Sequence, residues 1–267
     1  MIWSNIEYLA LRLARKFLFT DTLLAGFGRI LPYYLASLGE SSPELVVDHY
    51  RQRCSRAGIL TEGKTVLEVG IGATNGSGYE FAARGAGRFW GYEPFRPFDV
   101  RNDGIQLRRI SSRTDRSEAD LLRAVTRIHN LGVVAGGSVD LIVSYSVLEH
   151  VADPRALFAE LKKVLSPGGA MIHCVDYRDH FFKYPFHFLQ FSDTFWDRYL
   201  NPGDLQRFRL TDHLGMIAES GLTADVIHTT HEREKLDALQ GRIDERFSHI
   251  DHDTLSVATA DLCVRHE

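Results

Sequence analysis

The chain reads as an α/β protein built around a mostly parallel sheet. β-prone runs alternate with amphipathic helical segments from about residue 60 to 176, the pattern of right-handed βαβ units. A glycine-rich turn follows the first β-prone run and opens a helix. The alternation stops in an aromatic stretch, 177–210, and resumes to about residue 264. The 267 residues suffice for one elaborated domain with a sizeable core. With 44% hydrophobic and 25% charged residues, the composition excludes a disordered chain, a collagen and a coiled coil. A net charge of -4 lacks the basic signature of a nucleic-acid partner, and none is expected. Cys54, Cys174 and Cys263 are too scattered for a disulfide framework or a zinc motif, so a reducing, cytoplasmic setting is expected.

Taken in order, residues 1–60 read as a helical cap and 61–267 as the main domain. Ile6, Leu9, Leu13 and Phe17 recur at helical spacing with Arg12, Arg15 and Lys16 between them. Such a helix either packs its apolar face on the domain or lies on a membrane. In the second case residues 1–30 would hold the protein peripherally at the inner face. Glu7 and Asp21 argue against a secretory signal. No run reaches the ~18 apolar residues of a spanning helix. A helix is expected over 43–58, with Pro43 near its start and Gly58 at its end.

Strands are expected over 65–69, 88–93, 105–110, 139–145, 170–175, 222–228 and 255–264. Helices are expected over 79–84, 117–131, 154–165, 211–220 and 231–239. The helix over 117–131 would present Leu121, Leu122, Val125 and Ile128 on one face. The aromatic stretch reads as a lid over an acceptor, or as a hydrophobic cluster that secures the insert.

The string Glu68-Val69-Gly70-Ile71-Gly72-Ala73-Thr74-Asn75-Gly76 lies between the first strand and its helix. Glycines there allow close backbone approach to a ligand, and the helix start offers free N–H groups. The third glycine comes one residue late for the dinucleotide fingerprint, and no Gly-Lys-Ser/Thr follows. Glu68 is awkward beside a pyrophosphate and suits a ligand carrying an ammonium group. Glu93, closing the second strand, suits the two hydroxyls of a ribose.

Together with Tyr92-Glu93-Pro94, Ser144-Tyr145-Ser146-Val147-Leu148-Glu149-His150-Val151 and Leu165-Ser166-Pro167-Gly168-Gly169, this string resembles the class I S-adenosylmethionine-dependent methyltransferases. The resemblance spans about 60–176. It implies a Rossmann-like sheet of seven strands, the last antiparallel, with helices on both faces. It also implies a cofactor set of Glu68, Gly70, Ile71, Gly72, Glu93, Pro94 and Tyr145, with the adenine near 111–115. Ser144-Tyr145-Ser146-Val147 stands where enzymes that modify nucleobase amines carry Asn/Asp-Pro-Pro-aromatic, which counts against that class.

Methyl transfer needs positioning and water exclusion, and a hydroxyl acceptor also needs a base. His150 and His180 are the candidates, at the carboxyl ends of neighbouring strands. Asp176 and Asp179 either orient a histidine or cap a turn. Some relatives hold a divalent cation through Glu-x-x-Glu-His. Ser146 replaces the first glutamate here, which leaves Glu149, His150, Asp176 and His180 as a candidate Mg²⁺ set. His173 reads as a core residue, and His49 has no arguable partner.

Phe191-Ser192-Asp193-Thr194-Phe195-Trp196 and Arg207-Phe208-Arg209 resemble methyltransferases of bacterial polysaccharide pathways, with Arg207 or Arg209 facing an acceptor or solvent. The expected activity is methylation of a hydroxyl on a sugar, saccharide or glycoconjugate. The alternatives are a small natural product or quinone as acceptor, a non-catalytic cofactor-binding subunit, and an NAD-dependent oxidoreductase. The sequence sets no oligomeric state.

Overall fold

The computed structural model describes residues 2–17, 42–179, 181, 183–201, 203, 205–239 and 241–267. The strands are Thr65–Val69 (β1), Arg88–Tyr92 (β2), Val125–Ile128 (β3), Val139–Tyr145 (β4), Leu165–Asp176 (β5), Leu222–His231 (β6) and Val257–His266 (β7). They form one sheet in the order β3-β2-β1-β4-β5-β7-β6. The pairs among β1 to β5 are parallel, and β7 runs antiparallel between β5 and β6. This is the Rossmann-like methyltransferase architecture, with its antiparallel last strand. Helices Ile2–Phe17 (α1), Pro43–Arg56 (α2), Gly76–Ala83 (α3), Val100–Ser111 (α4), Glu118–Ala124 (α5), Pro154–Val164 (α6) and Leu210–Glu219 (α7) surround it.

Two expected elements are corrected. Residues 105–110 belong to α4, not to a strand. Asp103, Leu107 and Ile110 are its buried residues, at helical spacings of four and three, and the Asp99 carboxylate caps it by accepting from Asn102 N at 3.0 Å. The third strand lies instead in the second half of the expected helix over 117–131. That helix stops at Ala124, and Val125 enters β3 directly, because β-branched Val125 and Thr126 pair beside Phe89 and Trp90. Ser111 therefore ends α4 and residues 112–115 follow it, so the stretch 111–115 does not follow the third strand as expected.

Alternate residues of each central strand enter different layers, as the two-residue period dictates. Leu67, Val69, Ile142, Met171, Val175 and Leu262 pack with Phe158 and Leu161 of α6 and Ile217 of α7. Val66, Leu141, Val143 and Ile172 pack on the opposite face with Val47 and Tyr50 of α2 and Phe81 of α3. Cys54, Cys174 and Cys263 meet in that second layer as buried free thiols. His173 is a core residue, its Nδ1 2.7 Å from Ser144 Oγ.

The aromatic insert forms a third cluster. Tyr184, Phe186, Phe188 and Trp196 are buried against Leu236, Phe247, Leu255 and Tyr8 of α1. Those four aromatics thus take the securing role. Helix α1 does not dock by the expected apolar stripe. Ile6, Leu13 and Phe17 are exposed, Leu9 is half-buried, and the packed face carries Tyr8 and Arg12. A buried Arg12–Asp179 ion pair decides this orientation. Asp179 also accepts from the Tyr8 hydroxyl and from Phe181 N.

Arg207 and Arg209 are buried rather than facing solvent. Arg207 donates to the carbonyls of Phe188 and Phe191 at 2.9 and 2.6 Å and lies over Trp196. Arg209 donates to the carbonyls of Tyr177, Leu255 and Val257. Arg207 satisfies carbonyls of the irregular insert, and Arg209 ties the start of that insert to the segment that enters β7.

Candidate functional site

The turn after β1 carries Gly70 and Gly72 at φ +79° and +77°, a region L side chains rarely adopt. Gly70 N donates to Tyr92 O at 2.8 Å, which ties the turn to β2. A Cβ on Gly70 would stand 2.6 Å from Val147 Cγ2, whereas one on Gly72 would meet nothing within 4 Å. Backbone is thus packed on one side of the loop and open on the other. Ile71 covers the position where a Cβ on Gly91 would sit.

Glu68 is buried and points from β1 toward α2 and α3. Its Oε1 accepts from Tyr50 OH at 2.9 Å, and its Oε2 from Ser77 Oγ. Burial pushes its carboxyl up to about 7, against the two hydroxyls that favour the charged form. Glu93, buried at the end of β2, accepts from Gly72 N at 3.0 Å on Oε2 and from Phe95 N and Arg96 N at 3.1 and 3.0 Å on Oε1. Both expected carboxylates therefore stand at adjacent strand ends around the glycine loop. Pro94, next to Glu93, is exposed.

Tyr145 ends β4 half-exposed. His49 of α2 stacks on its ring at 5.9 Å, and the Arg53 guanidinium lies 5.9 Å from the ring centre. Arg53 is anchored by Asp261 at 2.8 Å. His49 thus has a partner that sequence reasoning did not find. Tyr50, Ser77 and Arg127 were missed as well. Tyr50 sits at core spacing with Val47 and Cys54, so periodicity marks it as packing only. Arg127 fell in the misassigned helix.

Among the described residues, Glu149, His150 and Asp176 of the candidate metal set do not form a metal-binding group. His180 lies outside the described residues. Glu149 is buried, and its two oxygens meet no partner at full hydrogen-bond geometry, so burial pushes its carboxyl up to about 8. His150 beside it is exposed, and Asp176 is held by Arg178 at 2.7 Å. Among the described residues no group of three or more His, Cys, Asp or Glu could hold a metal ion. Asp179, read as an orienter or a cap, is consumed by Arg12 and Tyr8.

Residues 67–173 match a family model described as a methyltransferase domain. The matched span runs from β1 into β5 and contains both carboxylates, the glycine loop and Glu149. Residues 67–173 are thus similar to methyltransferase domains. The chain is similar to an uncharacterized methyltransferase of Mycobacteroides abscessus, at 31% identity over 143 residues, covering 52% of this chain and 49% of that protein. It is also similar to a ubiquinone biosynthesis O-methyltransferase of Neisseria meningitidis, at 23% identity over 181 residues, covering 63% and 71%. The chain thus spans about half the length of the first relative. Among solved structures, a phosphoethanolamine N-methyltransferase 2 of Haemonchus contortus with S-adenosyl-L-methionine superposes with TM-score 0.50 at 16% identity, covering 96% of this chain and 59% of that one. That likeness concerns the methyltransferase fold. Among the described residues no helix is long and apolar enough to cross a membrane.

Proposed function

We propose that the chain is an S-adenosylmethionine-dependent O-methyltransferase that acts on a hydroxyl of a small molecule or saccharide. The observation that carries this reading is the pair of buried carboxylates, Glu68 and Glu93, at adjacent strand ends around the Gly70–Gly72 turn. Glu68 fits an ammonium group, because a cation beside a buried carboxyl supplies the charge that burial denies it. Glu93 fits a ligand hydroxyl, since a carboxylate has about four acceptor positions and the three used here by backbone N–H groups leave one. S-adenosylmethionine, when bound, supplies a methyl group on a sulfonium. The chain's own part is to hold the ligand's two ends, exclude water and accept a proton from the acceptor. His150 is the described base candidate, exposed on the turn that follows β4. His180 shares that proposal from its place after β5.

The sugar expectation leaned on Arg207, Arg209 and the aromatic insert. Those arginines and most of those rings are engaged in the insert's own packing. A hydroxylated ring or quinone-like acceptor is therefore the second reading, favoured by the similarity to an O-methyltransferase of ubiquinone biosynthesis. Calorimetric titration with S-adenosylhomocysteine tests the cofactor, with NAD as control and Glu93→Ala as the variant. Micromolar binding lost in Glu93→Ala is expected. No binding to folded wild type, or NAD binding in its place, overturns the reading. Acceptor screening of saccharides against hydroxylated rings then separates the two classes. Loss of about 10²-fold or more in turnover by His150→Ala would assign the base. Binding without turnover on any acceptor would mark a non-catalytic subunit.

A further inference from the structure

We infer that Arg127 is a positioning residue of the cofactor loop, acting through the backbone of Gly72; the inference rests on the cofactor reading above. Arg127 lies on β3 opposite Gly91 of β2, outside the glycine motif in sequence. Its Nη2 donates to Gly72 O at 2.6 Å, while Gly72 N donates to Glu93 Oε2 at 3.0 Å. One glycine thus has both backbone groups fixed by charged side chains, a cation at its carbonyl and an anion at its amide. The space where a Cβ on Gly72 would stand is open. The same Nη2 reaches Arg96 O at 3.4 Å, and the guanidinium lies 5.2 Å from the Phe98 ring centre. Arg127 therefore spans the loop after β1 and the loop after β2. Asp99 N, donating to Ala73 O at 2.8 Å, ties the same two loops a few residues on.

A purely packing role fits poorly. Arg127 Nε and Nη1 are buried and make no hydrogen bond, a cost that an apolar side chain over Phe98 would avoid. The one strong contact that offsets this cost is to the loop carbonyl. With that carbonyl held, the Gly72 amide keeps facing Glu93, and the Glu93 carboxylate keeps its orientation at the end of β2. Without it the two peptide groups that flank the Gly72 Cα are free to reorient about its φ and ψ, and Glu93 loses one of its three donors.

Calorimetric titration with S-adenosylhomocysteine tests this on wild type, Arg127→Met, Arg127→Lys, Glu93→Gln and the double variant Arg127→Met/Glu93→Gln. Methionine keeps the apolar stem and removes the donor; lysine restores one charged donor. Arg127→Met is expected to bind about tenfold or more weakly, the scale of one charge-assisted hydrogen bond. Arg127→Lys is expected to recover to within about threefold of wild type. The double variant is expected to be no more than about twofold weaker than the worse single, because both side chains fix one residue, Gly72, through its two flanking peptide groups. Wild-type affinity in Arg127→Met, failure of lysine to rescue, or additive losses would each overturn the inference while leaving the cofactor reading intact. No binding to folded wild type would instead overturn the cofactor reading, and this inference with it. Should Arg127→Met not fold, Arg127→Leu, which also removes the donor, takes its place in the cycle.

Discussion

The Tyr50 hydroxyl donates to Glu68 Oε1 at 2.9 Å, joining helix α2 to β1 just before the chain turns into the glycine loop. Burial raises Glu68 to about 7 from an ordinary 4.5, so the folded protein binds more protons there than the unfolded chain between those values. The stability this group contributes is full below about 4.5 and is lost as pH rises to about 7. Glu149, raised to about 8, adds a slope of the same sign. Glu68→Gln removes the Glu68 share. Urea unfolding from pH 5 to 8 should show a shallower loss of stability in the variant, with its advantage over wild type largest at pH 8. An unchanged slope would mean that Glu68 ionises freely in the folded protein.

The same carboxyl makes ligand binding depend on pH in the opposite sense. A ligand ammonium beside Glu68 favours the ionised form, so binding must release the proton that burial retains. S-adenosylhomocysteine affinity should rise from pH 5.5 to 7.5 in wild type and stay flat, and weaker, in Glu68→Gln. Calorimetry in buffers of different ionisation enthalpy reads the released proton directly. Equal affinities at both pH values in wild type would separate the ammonium from Glu68.

Gly70→Ala should fail for two separable reasons. Its φ of +79° costs a side chain on the order of 1 kcal/mol, and the added methyl would stand 2.6 Å from Val147 Cγ2. Gly70→Ala is therefore expected to lower stability and weaken S-adenosylhomocysteine binding. Adding Val147→Ala should relieve the collision and recover part of the stability, leaving the backbone cost. No recovery would assign the whole effect to the backbone.

Much of the fold was legible because the central strands, Val66 to Val69 and Val139 to Val143, are buried on both faces and read as near-continuous apolar runs. The third strand was not. Val125–Ile128 is four residues long and follows α5 without a turn residue, so its apolar positions continued the helical period. At the site, Glu68, Glu93 and the glycines were legible because strand-end position and backbone freedom mark them. Tyr50 and Arg127 reach the loop only through tertiary packing, and no local pattern distinguishes them from core and surface residues. Helix α1 misled by its stripe. Ile6, Leu13 and Phe17 gave the amphipathic signal, while the long-range Arg12–Asp179 pair chose the other face.

That ion pair yields a stability prediction. Asp179→Asn or Arg12→Met leaves one buried partner without its counter-charge, which typically costs about 3–5 kcal/mol. Either variant should shift the urea midpoint strongly downward. Arg12→Met/Asp179→Leu removes both charges, so it should be more stable than either single, with the Tyr8 hydroxyl and Phe181 amide left to account for the residual loss. A double variant as unstable as the sum of the singles would show that the two residues act independently.

Arg209 separates a structural arginine from one that binds an acceptor. It is buried, and burial lowers its pKa to about 10, yet it donates to three backbone carbonyls and lies between the rings of Tyr177 and Phe186. Lysine carries the charge but not the planar fork, so it cannot serve carbonyls at Tyr177, Leu255 and Val257 together. Arg209→Lys should therefore lose stability on the order of 2 kcal/mol or more, as buried carbonyls lose their donors. S-adenosylhomocysteine affinity should stay within about twofold of wild type at a temperature where the variant is folded, because Arg209 serves the insert and the start of α7 rather than the glycine loop; twofold is well under the change expected from one lost charged contact. Unfolding by urea and calorimetric titration on the same preparation measure both. Unchanged stability with weakened binding would reverse the assignment and return Arg209 to the ligand side of the molecule.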